Sequence, residues 1–284
     1  MFFQCFLHKN SIFLLTAPRD GAILALHPGK QSRGKEIKEE KPMKKMIALF
    51  AALALLLTCS LASAETILYA TNPEYPPFES MDDNGQVVGY DVDLINAIGE
   101  KIGVTFQAES MSFDAVVSSV QTNPNMIGLS GISITDERKL SVNFSDGYID
   151  AGLVVVTKKD AGFASADDLK GKLIGVQQGT TSDFKAEEIT GQENVMRYAT
   201  FIDAMLSLQG NKVDAVIVDA PVGQAILASM NDASLVITDI DLGAADWYGI
   251  AVNKSNTELL EKINQALKEL KEEGVLDQLA AKYF

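Results

Sequence analysis

The sequence predicts an α/β fold that contains parallel sheet, and two observations support this prediction. Strand patterns alternate with an amphipathic helix pattern along residues 66–107, and the alternation returns between residues 173 and 230. Strands that alternate with helices are typical of β-α-β units, in which a helix connects two parallel strands. No low-complexity linker separates the two stretches, so we expect strands to cross between two lobes near Tyr148–Gly152 and Gly243–Trp247.

The first unit begins with a predicted strand at Thr66–Thr71 and continues through a hairpin to a helix. Asp83-Asn84-Gly85 predicts the hairpin turn, because Asn-Gly readily adopts the positive φ angles of a two-residue turn. The helix is predicted at Asp91–Ile102, where apolar side chains share one face and Gly103 provides a stop. A second strand is predicted at Val104–Gln107.

The second part of the chain repeats this pattern and ends in a long amphipathic helix. That helix is predicted from Thr257 to Gly274, because its apolar residues recur at helical spacing and oppositely charged residues lie four apart on the other face. The other predicted elements are strands at Leu173–Val176, Val213–Val218 and Trp247–Val252, and helices at Phe201–Leu208 and Ala220–Met230.

Residues 1–64 are expected to lie outside the fold. A basic run at Met43-Lys44-Lys45 precedes the apolar stretch Met46–Leu57, and Ala62-Ser63-Ala64 follows. This order is typical of a secretory signal peptide, and the apolar stretch is shorter than the roughly 20 residues that span a bilayer. We therefore predict a signal peptide at residues 43–64 and a mature chain that starts at Glu65.

Residues 1–42 are interpreted as an upstream extension that is absent from the mature protein, with Met43 as the initiator. We expect the signal peptide to export the protein to the periplasm or to the outer face of the cytoplasmic membrane. A lipid anchor at Cys59 is an alternative, although Thr58 stands where lipoprotein signals usually have a small Gly, Ala or Ser.

Composition excludes several classes of protein. The 284 residues include 24 Lys and Arg against 38 Asp and Glu. Nine of these bases and four of these acids precede Glu65, so residues 65–284 carry a formal charge of −19. Such acidity argues against nucleic-acid binding, which needs a basic surface. The hydrophobic fraction of 47% argues against intrinsic disorder.

The mature chain also lacks thiols and imidazoles, because both Cys and both His lie before Glu65. That excludes Ser-His-Asp and Cys-His catalysis, Cys/His zinc sites, haem ligation and disulfides. Carboxylate-bound Ca²⁺ or Mg²⁺ stays open, but the chain has no D-x-D-x-D-G loop. We expect no metal, no cofactor and no catalytic residue.

Six segments along the mature chain resemble, in order, the bacterial family 3 solute-binding proteins, which bind amino acids for ABC importers. The most distinctive is Gly89-Tyr90-Asp91-Val92-Asp93-Leu94. Any one segment is weak evidence, but several in register are specific. The others are Tyr75–Glu79, Gly131–Arg138, Phe144–Tyr148, Gly175–Thr181 and, in the tail, Tyr248–Ala251 with Leu276–Phe284.

The resemblance implies a two-lobe periplasmic-binding-protein-like (type II) fold with two hinge strands and the ligand in the cleft. Lobe 1 would comprise residues 65–149 and 247–284, and lobe 2 residues 150–246. The implied partners are a small-molecule amino acid and a membrane permease of an ABC transporter. We expect the protein itself to be a monomer. Relatives usually have Asp where Met126 stands, and we expect Met126 to lie in a turn of lobe 1.

The resemblance places the ligand α-carboxylate at Arg138, whose planar guanidinium matches a carboxylate. The alternative for Arg138 is a surface ion pair with Asp136 or Glu137. Thr180 and Thr181 follow Gly179 and open a helix, where backbone N–H groups can bind an anion. Simple N-capping is the alternative there, and both roles are compatible.

The resemblance assigns the ligand ammonium to Asp219, which follows a buried strand at the edge where α/β sheets place ligands. An N-cap for the helix at Ala220 is the alternative. The Ser133 hydroxyl and the Gly131 carbonyl would complete the ammonium site, and Ser130 matches a contact position that varies among relatives.

The side-chain pocket implied by the resemblance has Tyr75 and Phe113 as aromatic walls, with Asn72 and Gln177 at its end. Core packing is the alternative for Phe113. Histidine- and glutamine-binding relatives have Asp in place of Asn72, and glutamine-binding relatives tend to have Lys in place of Gln177. Neither subclass is matched, so the predicted ligand is a polar or basic L-amino acid.

Two other functions remain open from sequence. Some proteins of this fold are dehydratases of cyclic carboxylates with an acidic residue as general acid, and others report a ligand to a membrane receptor. The Arg138–Asp219 pair favours an amino acid over a ligand without an ammonium group.

Overall fold

A computed structural model describes residues 65–243 and 246–284 of the chain. The predicted upstream extension, the signal peptide, the start at Met43 and the lipid anchor at Cys59 lie outside the described residues. Within these two ranges, no helix has the length and apolar character needed to cross a membrane.

The strands are short, and most of them belong to two mixed sheets. Those of the first part are β1 (Glu65–Thr71), β2 (Glu74–Tyr75), β3 (Glu79–Met81), β4 (Val87–Val88), β5 (Val104–Ser110), β6 (Met126–Gly128), β7 (Asn143–Phe144) and β8 (Ile149–Ala151). Those of the second part are β9 (Leu153–Lys158), β10 (Ile174–Gln177), β11 (Val195–Tyr198), β12 (Ala215–Asp219), β13 (Leu235–Thr238), β14 (Asp246–Tyr248) and β15 (Ala251–Val252).

The helices pack against these sheets, and short 3₁₀ turns at Ala166–Leu169 and Gln192–Asn194 join the loops between them. The α-helices are α1 (Tyr90–Ile102), α2 (Phe113–Thr122), α3 (Asp136–Lys139), α4 (Thr181–Thr190), α5 (Phe201–Gln209), α6 (Ala220–Met230), α7 (Thr257–Glu272) and α8 (Val275–Tyr283). The predicted helices at 91–102, 201–208, 220–230 and 257–274 are thus confirmed within one or two residues, whereas α8 was not predicted as a separate helix.

Each of the two large sheets has a parallel centre and antiparallel additions. In the first sheet β1 pairs in parallel with β5 and β6, and β15 and β7 continue it in antiparallel orientation. In the second sheet β10 pairs in parallel with β11 and β12, and β9 and β13 are antiparallel. The predicted β-α-β organisation is therefore present in both parts.

A two-stranded ribbon connects the two sheets. β8 pairs with β14 in antiparallel orientation, with Ile149 opposite Tyr248 and Ala151 opposite Asp246. These strands lie at the two predicted crossing points. The result is the two-lobed α/β fold with two connecting strands that the sequence predicted, while the lobe boundaries at 149/150 and 246/247 stay predictions.

Two sequence predictions about local structure were wrong. The predicted strand Trp247–Val252 is two strands, because the chain leaves the ribbon after Tyr248 and enters the first sheet at Ala251. Gly249 and Ile250 join the two strands, and a Cβ at Gly249 would come within 2.8 Å of the Ile134 side chain. Met126 does not lie in a turn: it begins β6, and its side chain is buried with α2 in the core, which suits an apolar residue.

The parallel strands of both sheets carry polar residues at their carboxyl ends. Asn72 follows β1, and Ser130 comes two residues after β6. In the second sheet Gln177 ends β10 and Asp219 ends β12. The carboxyl edge of parallel strands is where open α/β sheets bind ligands.

Candidate functional site

The twelve residues that the sequence singles out lie in one connected cluster. Each contacts at least one other member, and several contacts join the ends of the two sheets. The members are Asn72, Tyr75, Phe113, Ser130, Gly131, Ser133, Arg138, Gln177, Gly179, Thr180, Thr181 and Asp219.

Asp219 is almost fully buried, with only 2% of its surface exposed. The Tyr75 hydroxyl donates a hydrogen bond to Asp219 Oδ2, and the hydroxyls of Tyr75 and Tyr248 lie 3.0 Å apart. Asp219 Oδ1 is buried and has no hydrogen-bond partner among the described residues. The carboxylate therefore keeps an unused acceptor inside the site.

Asp219 occupies the N-cap position of α6, but its side chain makes no capping hydrogen bond with the described residues. The purely structural alternative for this residue is thus not supported by the geometry. Burial raises the pKa of Asp219 to about 6, against the lowering effect of the neighbouring tyrosine hydroxyls and of Arg138.

The turn after β6 passes directly beneath the Tyr75 ring. Gly131 has a φ of +54°, and a Cβ there would lie 2.6 Å from a ring carbon of Tyr75. Both the backbone angle and the close approach therefore require glycine. Farther along, the Ser133 hydroxyl lies 3.4 Å from the Thr181 hydroxyl, which belongs to the other sheet's side of the cluster.

Arg138 connects the two sides through its guanidinium. Nη1 donates to the Ser133 carbonyl at 2.9 Å, and Nη2 donates to the Gly179 carbonyl at 3.1 Å. The guanidinium carbon lies 5.4 Å from the centre of the Phe113 ring, within cation–π range. Asp136, the predicted alternative partner, forms an ion pair with Lys139 at 3.1 Å.

Phe113 fits both predictions made for it from sequence, as a pocket wall and as a core residue. Its side chain is buried and packs in a core cluster with Val116 and Val120 of the same helix. The ring also lines a cavity of about 690 Å³ together with Arg138 and Thr181. Charged and apolar side chains from α2 and α4, including Lys185 and Phe184, complete much of that cavity wall.

The start of α4 is capped from within. The Thr180 hydroxyl accepts from the Asp183 amide and donates to the Gln177 carbonyl, and the Gly179 amide donates to Asp183 Oδ2. The N-capping that the alternative interpretation expected is therefore present. The Gly179 amide donates its hydrogen bond within this cap. By the usual pattern of a helix start, the amides of Thr181 and Ser182 have no partner within the helix.

Asn72 and Gln177 meet from the two sheets. Gln177 Nε2 donates to Asn72 Oδ1 at 2.8 Å, and the Asn72 backbone amide donates to the Ser130 hydroxyl at 3.0 Å. The sequence prediction placed these two amides together at one end of the pocket, and the structure joins them directly.

Sequence reasoning missed a pair of buried carboxyls next to this cluster. Glu79 and Asp91 are 0% and 1% exposed; Glu79 accepts from the Ser130 hydroxyl, and Asp91 from the Gly131 amide at 2.9 Å. Burial raises the pKa of Glu79 well above its ordinary value and that of Asp91 to about 7. Both residues lie in the quoted motifs, but 12 residues of sequence separation give no sign of this contact.

Tyr248 was also missed as a neighbour of Asp219. Its place in the tail segment that resembles the family was the available signal, but a tyrosine in a strand predicts core packing first. Among residues 65–243 and 246–284, no group of three or more Asp, Glu, His or Cys lies close enough to hold a metal ion.

A comparison with known protein families identifies the chain's relatives. The model of the bacterial extracellular solute-binding proteins, family 3, matches residues 67–284. The chain belongs to this family. Among relatives, the putative ABC transporter arginine-binding protein 2 of Escherichia coli (strain K12) is 36% identical over 248 residues, which cover 85% of this chain and 99% of that protein.

Solved structures agree with the family assignment. One of an ancestral arginine-binding protein bound to arginine is 38% identical, with a TM-score of 0.72, and covers 77% of this chain and 98% of that one. One of an ancestral arginine-binding protein bound to glutamine has the same identity and TM-score and covers 77% and 97%. The family resemblance and the two-lobed type II fold predicted from sequence are confirmed.

Proposed function

We propose that this family 3 solute-binding protein captures a polar or basic L-amino acid outside the cytoplasm and delivers it to an ABC importer. The observation that carries the proposal is that a buried carboxylate, Asp219, and a half-buried guanidinium, Arg138, each join the carboxyl ends of the two sheets, and that Arg138 is near enough to lower the pKa of Asp219. A free amino acid presents one carboxylate and one ammonium close together. A guanidinium and a carboxylate are the complementary pair.

The ammonium would bind at Asp219. Its Oδ1 atom offers the acceptor that the described residues leave without a partner, so binding can proceed while Tyr75 keeps its bond to Oδ2. Leaving a buried carboxylate oxygen without a donor costs about 1–3 kcal/mol, which the ammonium would recover. The Ser133 hydroxyl and the Gly131 carbonyl would accept the other protons.

The carboxylate would bind at Arg138, supported by the first turn of α4. A charge-assisted hydrogen bond contributes roughly 1.5–3 kcal/mol, and the N-terminal end of a helix adds a favourable dipole. Micromolar affinity requires about −8 kcal/mol in total. The charged contacts and the burial of the ligand's aliphatic stem against Tyr75 and Phe113 together supply a binding free energy of this order.

The connecting ribbon supports a hinge mechanism. Contacts of Tyr75 with Asp219 and of Asn72 with Gln177 join the two lobes directly, so opening at the ribbon would expose the site and closing would desolvate it. A ligand drives closure only if it binds the closed form more tightly than the open form. A ligand that bridges Arg138 and Asp219 satisfies that condition.

The names of relatives support an amino acid as the ligand, since the Escherichia coli relative and the ancestral proteins are named as arginine-binding proteins. They are named for binding and not for catalysis, which supports a transport role without an enzymatic step. We further propose that the protein acts as a monomer, is exported and does not bind nucleic acid, in line with the charge of −19 on residues 65–284.

A thermal-shift screen of residues 65–284 against the twenty amino acids plus ornithine, citrulline and cystine tests this function. We expect a raised melting temperature with a small set of polar or basic L-amino acids and none with their D-enantiomers. Prephenate and arogenate serve as controls for the dehydratase alternative, and an aromatic product from either would support that enzyme instead. No shift with any amino acid would contradict the proposal.

A further inference from the structure

The amide pair at the end of the cleft is built from opposite lobes and is well buried. Asn72 is 7% exposed and Gln177 is 1% exposed. Their mutual hydrogen bond runs from Gln177 Nε2 to Asn72 Oδ1 at 2.8 Å. The pair therefore forms only when the two lobes are together, at the place where the family resemblance predicts the end of the ligand side chain.

Two backbone carbonyls fix the orientation of these amides. The Met111 carbonyl accepts from Asn72 Nδ2 at 3.1 Å, and the Ala199 carbonyl accepts from Gln177 Nε2 at 2.9 Å. Turning either amide around would place its oxygen against a carbonyl oxygen, and acceptors repel one another. The Asn72 oxygen thus faces Gln177, and both protons of Gln177 Nε2 are used.

In this arrangement one hydrogen-bond acceptor of the amide pair has no described donor. Gln177 Oε1 is buried and has no hydrogen-bond partner among the residues that the structure describes. A buried carbonyl oxygen without a donor is unfavourable, so this atom favours a ligand that brings an N–H group. The matching feature at the other end of the site is Asp219 Oδ1, also an acceptor without a described partner.

The two ends differ in charge. Asp219 supplies a carboxylate, whereas Asn72 and Gln177 are neutral, and their hydrogen bonds go to backbone carbonyls, to the Ser130 hydroxyl and to each other. A neutral acceptor binds N–H groups on both neutral and cationic side chains, and it prefers the cation by only about tenfold. A carboxylate would instead favour the cation.

We propose that the Asn72–Gln177 pair selects the ligand side chain by its N–H donor and not by its charge. The accepted class then includes the neutral ureido group of citrulline and the carboxamide of glutamine beside the guanidinium of arginine, and it rejects the carboxylate of glutamate. The inference rests on the proposed function, because it concerns the other end of the same ligand.

Two pairs of matched ligands separate the effect of the side-chain N–H donor from the effect of the side-chain charge. Arginine and citrulline differ by one nitrogen replaced with oxygen, and glutamine and glutamate differ in the same way. In calorimetric titrations of the wild type, we expect citrulline to bind within about tenfold of arginine, since neutral and charged hydrogen bonds differ by about one factor of ten. Glutamate should bind at least about tenfold more weakly than glutamine, because it brings an acceptor to an acceptor.

Two variants test the named atoms. Asn72→Asp supplies the missing charge, so the preference for arginine over citrulline should rise about tenfold or more above that of the wild type. Gln177→Met keeps the length of the side chain and removes the acceptor, so citrulline and arginine should both weaken while methionine gains. Gln178→Met makes the same change at the next residue, which is exposed, and should leave both preferences unchanged.

The outcomes distinguish this inference from the function on which it rests. If no L-amino acid binds the wild type, the proposed function fails. If arginine binds but citrulline is about a hundredfold weaker or worse, the function stands and the neutral selection fails. The selection also fails if an amino acid without a side-chain N–H is preferred, or if Asn72→Asp folds with an unchanged melting temperature and leaves the ratio unchanged.

Discussion

Asp219 on one side and Glu79 with Asp91 on the other are buried carboxyls that have different surroundings. Asp219 comes from the second sheet and accepts a hydrogen bond from the Tyr75 hydroxyl of the other lobe, while Arg138 lowers its pKa from a distance. Glu79 and Asp91 come from the first lobe and bind the turn itself, through the Ser130 hydroxyl and the Gly131 amide. Burial raises the pKa in both groups, so a raised pKa alone does not distinguish a ligand contact from a structural one.

The difference lies in what can satisfy the remaining oxygens. Glu79 Oε2 and Asp91 Oδ1 also have no hydrogen-bond partner among the described residues, but the two carboxyls are neighbours, so a proton held between them would supply the missing donor from within the pair. Asp219 has no such carboxyl neighbour in its described hydrogen bonds, and its Oδ1 needs a donor from elsewhere. This difference supports the proposed ligand contact of Asp219, whereas Glu79 and Asp91 hold the Ser130–Gly131 turn.

The largest effect is expected from removing the cation that is proposed to bind the ligand carboxylate. Arg138→Ala should weaken amino-acid binding at least about a hundredfold, since a charge-assisted contact and its geometry are lost together. The melting temperature without ligand should barely change. Calorimetric titration and a thermal melt measure the two quantities.

Arg197→Ala is the matched control for that variant, because Arg197 is the other arginine of residues 65–284 and pairs with the buried Asp183 and with Glu187. We expect it to lower the melting temperature more than Arg138→Ala, because a buried carboxylate loses its partner. Unchanged affinity in Arg138→Ala would remove Arg138 from the carboxylate site.

A smaller effect is expected when Asp219 loses its charge and keeps its shape. Asp219→Asn should weaken an L-amino acid by about tenfold or more, whereas the des-amino analogue, which lacks the ammonium, should change by less than about threefold. Titrations with both ligands measure this ratio. The exposed Asp160→Asn should change neither, and equal losses for both ligands in Asp219→Asn would place the ammonium elsewhere.

The smallest effect concerns stability and the carboxyl pair. The folded protein holds a proton on Glu79 and Asp91 that the unfolded chain has lost between about pH 4 and 7, so stability should fall as pH rises through that range. Glu79→Gln mimics the protonated residue, so it should make the fall in melting temperature between pH 5 and 7.5 smaller and leave the part that comes from Asp91 and Asp219.

The exposed Glu74→Gln, on the neighbouring strand β2, controls for the loss of one negative charge and should leave the slope as in the wild type. If Glu79→Gln behaves like Glu74→Gln, the shared proton is absent and the contrast with Asp219 fails. Binding affinity at pH 7.5 should change less in Glu79→Gln than in Asp219→Asn.

Much of this architecture could be predicted from local patterns. Helices such as α7 follow from apolar spacing and Gly274, and all twelve predicted site residues came together because they lie where strands and helices meet. Contacts made by folding could not be predicted in this way. Three examples depend on elements distant in sequence: the Glu79–Asp91 pair, the Tyr248 hydroxyl beside Tyr75, and the close approach of Gly249 to Ile134.

Met126 shows a second limit of prediction from sequence. A departure from the family pattern suggested a turn, yet the residue begins a buried strand, where methionine satisfies the core. The expectation failed because it treated a polar residue in relatives as evidence about the backbone. Burial, which depends on the packing of α2 against the first sheet, decides this position.

The most direct test of the central claim is a crystal structure of residues 65–284 with the L-amino acid that gives the largest thermal shift. We predict one ligand between the two sheets, with its carboxylate on the Arg138 guanidinium and its ammonium within hydrogen-bond distance of Asp219 Oδ1. A ligand bound in any other place, or one in this cleft whose ammonium faces Glu79 and Asp91 instead of Asp219, would contradict the account.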